Sequence, residues 1–249
     1  EATDNEGGTA LMHASGSGSA DTVRLLLSEG ADIEATDNEG HTALMYASRD
    51  GRIDTVRLLL GEGVDIEATD NEGSTALMHA SWNGYADMVR LLLSEGADIE
   101  AADNEGDTAL IRASWNGNAD TVRLLLGEGA DIEATNNEGD TALIRASWHG
   151  NADTVRVLLV EGADIEATDN EGGTALMHAS GSGHADIVRL LLGTGADIKA
   201  SGNGGHTALM HASWNGRADM VKLLLSEGAD IGAIDNEDHT ALMHASWNG

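Results

Sequence analysis

Histidine and carboxylate are the side chains in this chain best suited to chemistry: there are ten His, and Asp plus Glu number 43. Five of the histidines, His13, His79, His178, His211 and His244, stand in one slot at multiples of 33 residues. A metal centre needs three or four donors converging on one point. One imidazole per unit on successive parallel helices predicts a ladder instead, so no metal and no cofactor is expected. Tyr46, Arg112 and Arg145 occupy the same slot, which points to packing side chains with a polar tip. The stretch "DIEATDNEG" (32–40) has the composition of a calcium loop without its pattern. Asp37 stands where such a loop needs Gly, and the distal bidentate Glu is missing. Weak retention of Ca²⁺ by stacked carboxylates is the most that it implies.

Catalysis is not expected either. The chain has no HExxH, no P-loop and no nucleophile elbow, and "GNGG" (202–205) lacks the strand-then-helix setting of a dinucleotide loop. Asp, His and Ser are plentiful, but each recurs at intervals of 33 in equivalent surroundings. An active site needs different groups meeting at one place.

Variation between copies is more informative. "DTALIRASWNG" (107–117) recurs as "GTALMHASGSG" (8–18), "HTALMYASRDG" (41–51) and "HTALMHASWNG" (206–216). The frame T-A-L-x-x-A-S-x-x-G persists while single slots change. The indole slot holds Trp82, Trp115, Trp148, Trp214 and Trp247, but also Gly16, Arg49 and Gly181. In a packed core, exchanging Trp for Gly would leave a cavity costing roughly 3–5 kcal/mol, and Arg would bury a charge. Such a slot faces solvent or a partner. The slot before the Thr holds Gly8, His41, Ser74, Asp107, Asp140, Gly173, His206 and His239. The mid-helix slot, that of the recurrent His, also takes Tyr46, Arg112 and Arg145. Arg112 precedes Trp115 by three residues, as Arg145 precedes Trp148, so each pair shares a helix face within cation–π reach.

The elements that position these residues repeat with a period of 33. Gly7, Gly40, Gly73, Gly106, Gly139, Gly172 and Gly205 mark it, as do Leu11, Leu44, Leu77, Leu110, Leu143, Leu176, Leu209 and Leu242. A fixed period of this length signals stacked repeats. Within 70–102, Thr75 is an N-cap, Ala76–Ser81 a first helix and Gly84 its stop. Ala86–Leu93 is a second helix with Asp87 in its first turn, where a carboxylate complements the helix dipole, and Gly96 ends it. "ADIEAADNEG" then suits a hairpin-like loop. Neither helix is long enough to be stable alone in water, so stability must come from stacking.

The period, "TALMHA" read against T-P-L-H-x-A, and "VRLLLSEGADIEA" together resemble the ankyrin repeat. The resemblance covers essentially all 249 residues. It implies an all-α fold, an ankyrin solenoid of stacked helix-turn-helix units with hairpin-like loops. Seven full repeats and a partial eighth form one array over 1–249, with units beginning near Asp4, Asp37, Asp70, Asp103, Asn136, Asp169, Gly202 and Asp235. There are departures from the family pattern. Ala10, Ala43 and their equivalents replace Pro. Met78 or Ile111 replaces the motif His that ties neighbouring loops. Asp238 replaces a turn Gly, which predicts mild fraying. Glu1 is not an initiator, and Gly249 closes half a unit, so a segment of a longer array is expected.

In this family the residue before the Thr and the end of the first helix line the concave groove that grips targets. The resemblance therefore implies a non-enzymatic scaffold that binds a protein or peptide through its concave face. The residues implied are Trp82, Trp115, Trp148, Trp214, Trp247, Arg112, Arg145, Arg49, Tyr46, His79, His211, His41, Asp107 and Asp140. The competing reading is that each Trp merely covers its neighbour's first helix. A spacer or self-stacking rod and an engineered array are the alternatives for the whole chain.

Composition constrains the partner. Lys plus Arg number 13 against those 43 acids, a formal charge of −30. Such a surface repels phosphate backbones and anionic lipid, so neither nucleic acid nor membrane is expected; it would favour a cationic partner, against the competing reading that the charge only provides solubility. No apolar run approaches the ~20 residues of a membrane span. A monomer is expected, with end-to-end stacking as the alternative. The absence of Cys leaves the redox compartment open, and the absence of Asn-x-Ser/Thr favours an intracellular location.

Overall fold

The computed structural model describes the backbone of residues 2–247 and the side chains of 2–246. The chain falls into two compact units. The first comprises residues 1–113 and 123–131, the second 114–122 and 132–249. Helices α1 (Ala10–Ser17), α2 (Ala20–Ser28), α3 (Ala43–Arg49), α4 (Ile53–Gly61), α5 (Ala76–Trp82) and α6 (Ala86–Ser94) belong to the first unit. Helices α9 (Ala142–His149), α10 (Ala152–Val160), α11 (Ala175–Ser182), α12 (Ala185–Thr194), α13 (Ala208–Trp214), α14 (Ala218–Ser226) and α15 (Ala241–Trp247) belong to the second. The division between the units passes through α7 (Ala109–Trp115) and α8 (Ala119–Gly127). Among the described residues there are only isolated β-bridges, such as Thr3 with Thr9, and no strand.

Local chemistry sets where each first helix begins. Thr9, Thr42 and Thr75 have extended backbones, and each hydroxyl accepts from the amide three residues on, at 3.3–3.4 Å. Thr141, Thr174 and Thr207 do the same in the second unit. One of the orphan donors of the helix start is thereby satisfied. In α1 and α3 the Met sulfur three residues on accepts from the cap amide, at 3.3 Å and 3.4 Å, the place that Glu takes in a capping box. Helices α2, α4 and α6 have no side-chain cap but keep an Asp in the first turn, Asp21, Asp54 and Asp87.

Burial follows the Leu period. In the first unit α1 packs on α3 and α3 on α5. Leu11, Leu44, Met12, Met45 and Met78 are each 1 % exposed, and Val23, Val56, Leu59, Val89 and Leu92 are fully buried. In the second unit α9, α11, α13 and α15 pack in sequence, burying Leu143, Leu176 and Leu209. Leu242, in the same slot on α15, is 75 % exposed. The same side chain is thus buried or bare according to whether another helix lies over it. That is the behaviour of units that stack on their neighbours.

The loops are tied together without the missing His. In the first unit the backbone N–H groups of Asn38, Asn71 and Asn104 donate to the carbonyls of Glu6, Glu39 and Glu72, each at 2.9 Å. The side-chain amides of Asn71 and Asn104 donate to the carbonyls of Asn38 and Asn71 at 3.0 Å. Glu34, Glu67 and Glu100 accept from the backbone N–H of Asp65, Asp98 and Asp131 at 2.8 Å. The second unit repeats this with Asn170, Asn203, Glu133 and Glu166. Recurrence of "DIE" in five of the loops and of Asn in every turn therefore has a backbone cause. Gly40 belongs to the same device: its φ is +84°, and a Cβ there would lie 2.8 Å from the Asn71 nitrogen. Asp238 holds the equivalent left-handed turn at φ 63°, with its N–H on the Asp235 carbonyl at 3.1 Å, so the turn hydrogen bond of the Gly copies is kept. No helix among the described residues is long and apolar enough to cross a membrane.

Candidate functional site

The functional side chains are organised by an aspartate at the start of each loop turn. One oxygen of Asp37 accepts from the backbone N–H of Glu39 at 2.9 Å and of His41 at 2.8 Å. This fixes the carboxylate and aims its second oxygen at the mid-helix slot nine residues on. There Asp4 meets His13 at 2.8 Å, Asp37 the Tyr46 hydroxyl at 2.7 Å and Asp70 His79 at 2.9 Å. Asp103 accepts from Arg112 Nε at 2.7 Å, Asp169 meets His178 at 2.6 Å and Asp235 His244 at 2.9 Å. The mid-helix slot is therefore a donor slot. His, Tyr and Arg interchange there because each can give a proton to the same oxygen. These aspartates are absent from the residues singled out in the sequence. The signal was present in the restriction of one variable slot to donors, nine residues after an Asp in six of the eight copies.

Two units break the pattern. Where Asn136 replaces the Asp, Arg145 turns to Glu138 at 3.0 Å and to Asp140 at 2.9 Å, the latter an ion pair off the hydrogen-bonding angle. Where Gly202 replaces it, His211 has no carboxylate in its own loop. Burial, with the nearby His178 and His206, depresses the His211 pKa to about 4. Burial likewise lowers that of His79 despite Asp70 beside it. Burial and the Asp37 carboxylate push the Tyr46 phenol up to about 12. For Asp37 burial works upward, but hydrogen bonds from Tyr46, His41 and Glu39 outweigh it, and the net shift is downward.

Three of the expected surface residues are corrected by their burial. Asp107 is 1 %, Asp140 2 % and Arg145 6 % exposed. Ser74, in the slot before the Thr, is also buried, so that slot is lined by packing rather than open to solvent. Variation is tolerated because Gly, Ser, His and Asp are accommodated beside the turn carboxylate, not because the site is bare. Burial raises the Asp140 pKa, with Arg145 opposing it. His41, His79, Tyr46, Arg112 and His211 are half-buried. Arg49 is half-buried too, with its guanidinium 4.6 Å from the centre of the Tyr46 ring.

The indoles lie at the edge of this surface. Trp82 and Trp115 are half-buried, whereas Trp148 is 40 % and Trp214 49 % exposed. The Trp247 side chain lies outside the described residues. In the second unit each indole rests against a mid-helix residue one repeat on. Arg145 lies 4.8 Å over Trp115, His178 stacks on Trp148 at 5.0 Å, and His244 lies 5.4 Å from Trp214. Arg145 also lies 5.8 Å from its own helix's Trp148. Both readings of the Trp slot thus have structural content: part of each ring covers the neighbouring helix, and part stays open. Beside Trp214 a groove of about 350 Å³ is lined by His206, Met210, His211, Trp214, Asn215 and His244.

The histidines do not form a simple ladder. The slot before the Thr in one repeat meets the Asp and mid-helix residue of the next, bringing His41, Asp70 and His79 together in the first unit. His206, Asp235 and His244 meet in the same way in the second, where Asp140, Asp169 and His178 form a third cluster. In each cluster the donor atoms lie within 4.8 Å of one another. Reading the mid-helix slot alone missed this convergence, because the second imidazole comes from a different slot.

No curated protein matches the chain. The family model described as ankyrin repeats (3 copies) matches at residues 1–70, 36–103, 62–136, 128–201, 143–235 and 199–249. Proteins built from this repeat generally serve as protein–protein interaction modules and are typically non-enzymatic. With helix pairs, capping Thr residues and loop ties recurring along the matched segments, the chain belongs to the ankyrin repeat family.

Proposed function

We propose that this protein is a scaffold that binds a protein or peptide through the face carrying the exposed indoles and the half-buried donor-slot residues. The observation that carries the reading is the exposure of two indoles, Trp214 beside a groove lined by His206, His211 and His244, and Trp148 against His178. Large amphipathic rings next to polar groups are the usual anchors of binding hot spots. Arg49 and Tyr46 offer a similar pair in the first unit. In the second unit Arg145, paired with Asp140, backs the Trp115 and Trp148 rings. A charge of −30 favours a cationic partner, through faster encounter and the exclusion of acidic competitors.

A peptide-display selection on the full chain tests the reading. Lys- and Arg-rich ligands are the expected winners. Trp148→Ala with Trp214→Ala should weaken them about 30-fold, the equivalent of one hot spot of ~2 kcal/mol, with helical circular dichroism unchanged. Ligands that bind the variant as well as the parent would place the binding surface elsewhere. A second reading, self-association through α15, is favoured by the exposure of Leu242 (75 %) and Met243 (47 %). Solution mass over a concentration series separates the two, since a groove binder keeps a constant mass and a stacking rod grows.

A further inference from the structure

We infer that His41, Asp70 and His79 form a binding site for a divalent transition-metal ion of the zinc type, and that His206, Asp235 and His244 form a second one. The inference goes beyond partner binding and does not depend on it.

Hydrogen-bond arithmetic around His41 is the starting point. Its Nδ1 lies 3.2 Å from Asp37 Oδ2 and 3.5 Å from Glu39 Oε2, and its Nε2 lies 3.6 Å from Asp70 Oδ2. A neutral imidazole carries one N–H. With that proton on Nδ1 for Asp37, the Nε2 lone pair faces a carboxylate oxygen, a repulsion that a second proton or a metal cation between them relieves. His79 Nε2 lies 2.9 Å from the same Asp70 oxygen. Two ligand atoms bound tetrahedrally at about 2.0–2.1 Å from zinc are about 3.3–3.4 Å apart. The nitrogen–oxygen separations of 3.6 Å and 2.9 Å bracket that value, and with all three donor atoms within 4.8 Å of one another an ion would draw the two imidazoles in around it.

Preorganisation favours the site. Asp70 Oδ1 is held by the backbone N–H of Glu72 at 2.9 Å and of Ser74 at 2.8 Å, which leaves Oδ2 to bind. Asp37 behind His41 Nδ1 is the outer carboxylate that usually orients a ligating imidazole and sets its tautomer. The Asp70 side chain is 2 % exposed, while His41 is 14 % and His79 17 % exposed, so the donors are largely desolvated yet reachable. Two imidazoles and a carboxylate suit zinc, with a fourth position left for water, rather than calcium or magnesium.

The arrangement recurs wherever the sequence supplies the same parts. His206 Nε2 and His244 Nε2 lie 3.5 Å and 2.9 Å from Asp235 Oδ2. The two ring centres are 5.5 Å apart, the separation also found between His41 and His79. His239 Nδ1 lies 3.4 Å from that oxygen and offers a further imidazole. The third cluster differs, because it has one imidazole and its Asp140 is paired with the Arg145 cation. It is excluded from the proposal.

Calorimetric titration of the chelator-stripped, full-length chain with zinc chloride at pH 7.5 tests the inference. Two equivalents are expected to bind at micromolar concentration or below. His41→Ser should remove one, and His41→Ser with His206→Ser should remove both, each losing at least 100-fold in affinity. Ser74 already occupies the equivalent slot in another repeat, so these variants introduce nothing foreign to the fold; circular dichroism checks this. His184→Asn, outside the clusters, should leave the stoichiometry at two. Cobalt(II) should give the visible bands of a four-coordinate ion with the parent and lose them with the double variant. Unchanged stoichiometry in the double variant, or binding only at millimolar zinc, would overturn the assignment.

Discussion

Stacking predicts that identical side chains 33 residues apart have very different worth. Leu209 on α13 is 2 % exposed, and Leu242 on α15 is 75 % exposed. Truncating a buried Leu to Ala removes its transfer energy and leaves a cavity, typically costing 2–5 kcal/mol. Leu209→Ala should therefore cost about 3 kcal/mol. A fully buried Leu side chain contributes about 1.5–3 kcal/mol. With only a quarter of Leu242 covered, Leu242→Ala should cost about 0.5 kcal/mol. Urea unfolding followed by helical circular dichroism compares the two in the 249-residue chain. Repeat arrays can unfold in parts, so amide exchange in α11 to α14 provides a local check on the same difference. Equal costs, or a Leu209→Ala cost below about 1 kcal/mol, would mean that the Leu period is not what joins neighbouring repeats.

The buried Arg145–Asp140 pair provides two more predictions. Arg145→Leu alone leaves Asp140 charged and buried and should cost roughly 3–5 kcal/mol. Adding Asp140→Ser, the residue found at Ser74, should recover most of that loss, and thermal unfolding of the double-mutant cycle reads the coupling. Additive costs would show that the two side chains are independent. Burial also raises the folded-state pKa of Asp140 above its unfolded value. The folded protein therefore binds more protons in that window, and Asp140 contributes stability that grows as the pH falls through its raised pKa toward 3.8. The urea midpoint of the parent relative to Asp140→Asn should rise on acidification from pH 7; a flat or falling difference would refute the shift.

Periodicity made much of this protein legible from sequence. Thr75, Gly84, Asp87 and Gly96 were placed as cap, stop, first-turn acid and terminator, and the structure has α5 and α6 between them, each one residue longer than expected. These features are decided within one repeat, by sterics and by hydrogen bonds spanning three or four residues. The recurrence of Glu34 in five loops and of Asn71 in every turn is visible too, but its reason is not, because their partners Asp65 and Asn38 lie 31 and 33 residues away.

The sequence by itself determined the repeat, its helices and its buried Leu stripe, because a fixed period and local capping leave a short chain segment few choices. Only the tertiary structure decided which variable slots are open. It buried Asp107, Asp140 and Arg145, left Trp148 and Trp214 half in solvent, and turned His41 of one repeat onto Asp70 and His79 of the next. Exposure and convergence are properties of how successive repeats meet, and the spacing within one repeat does not contain them.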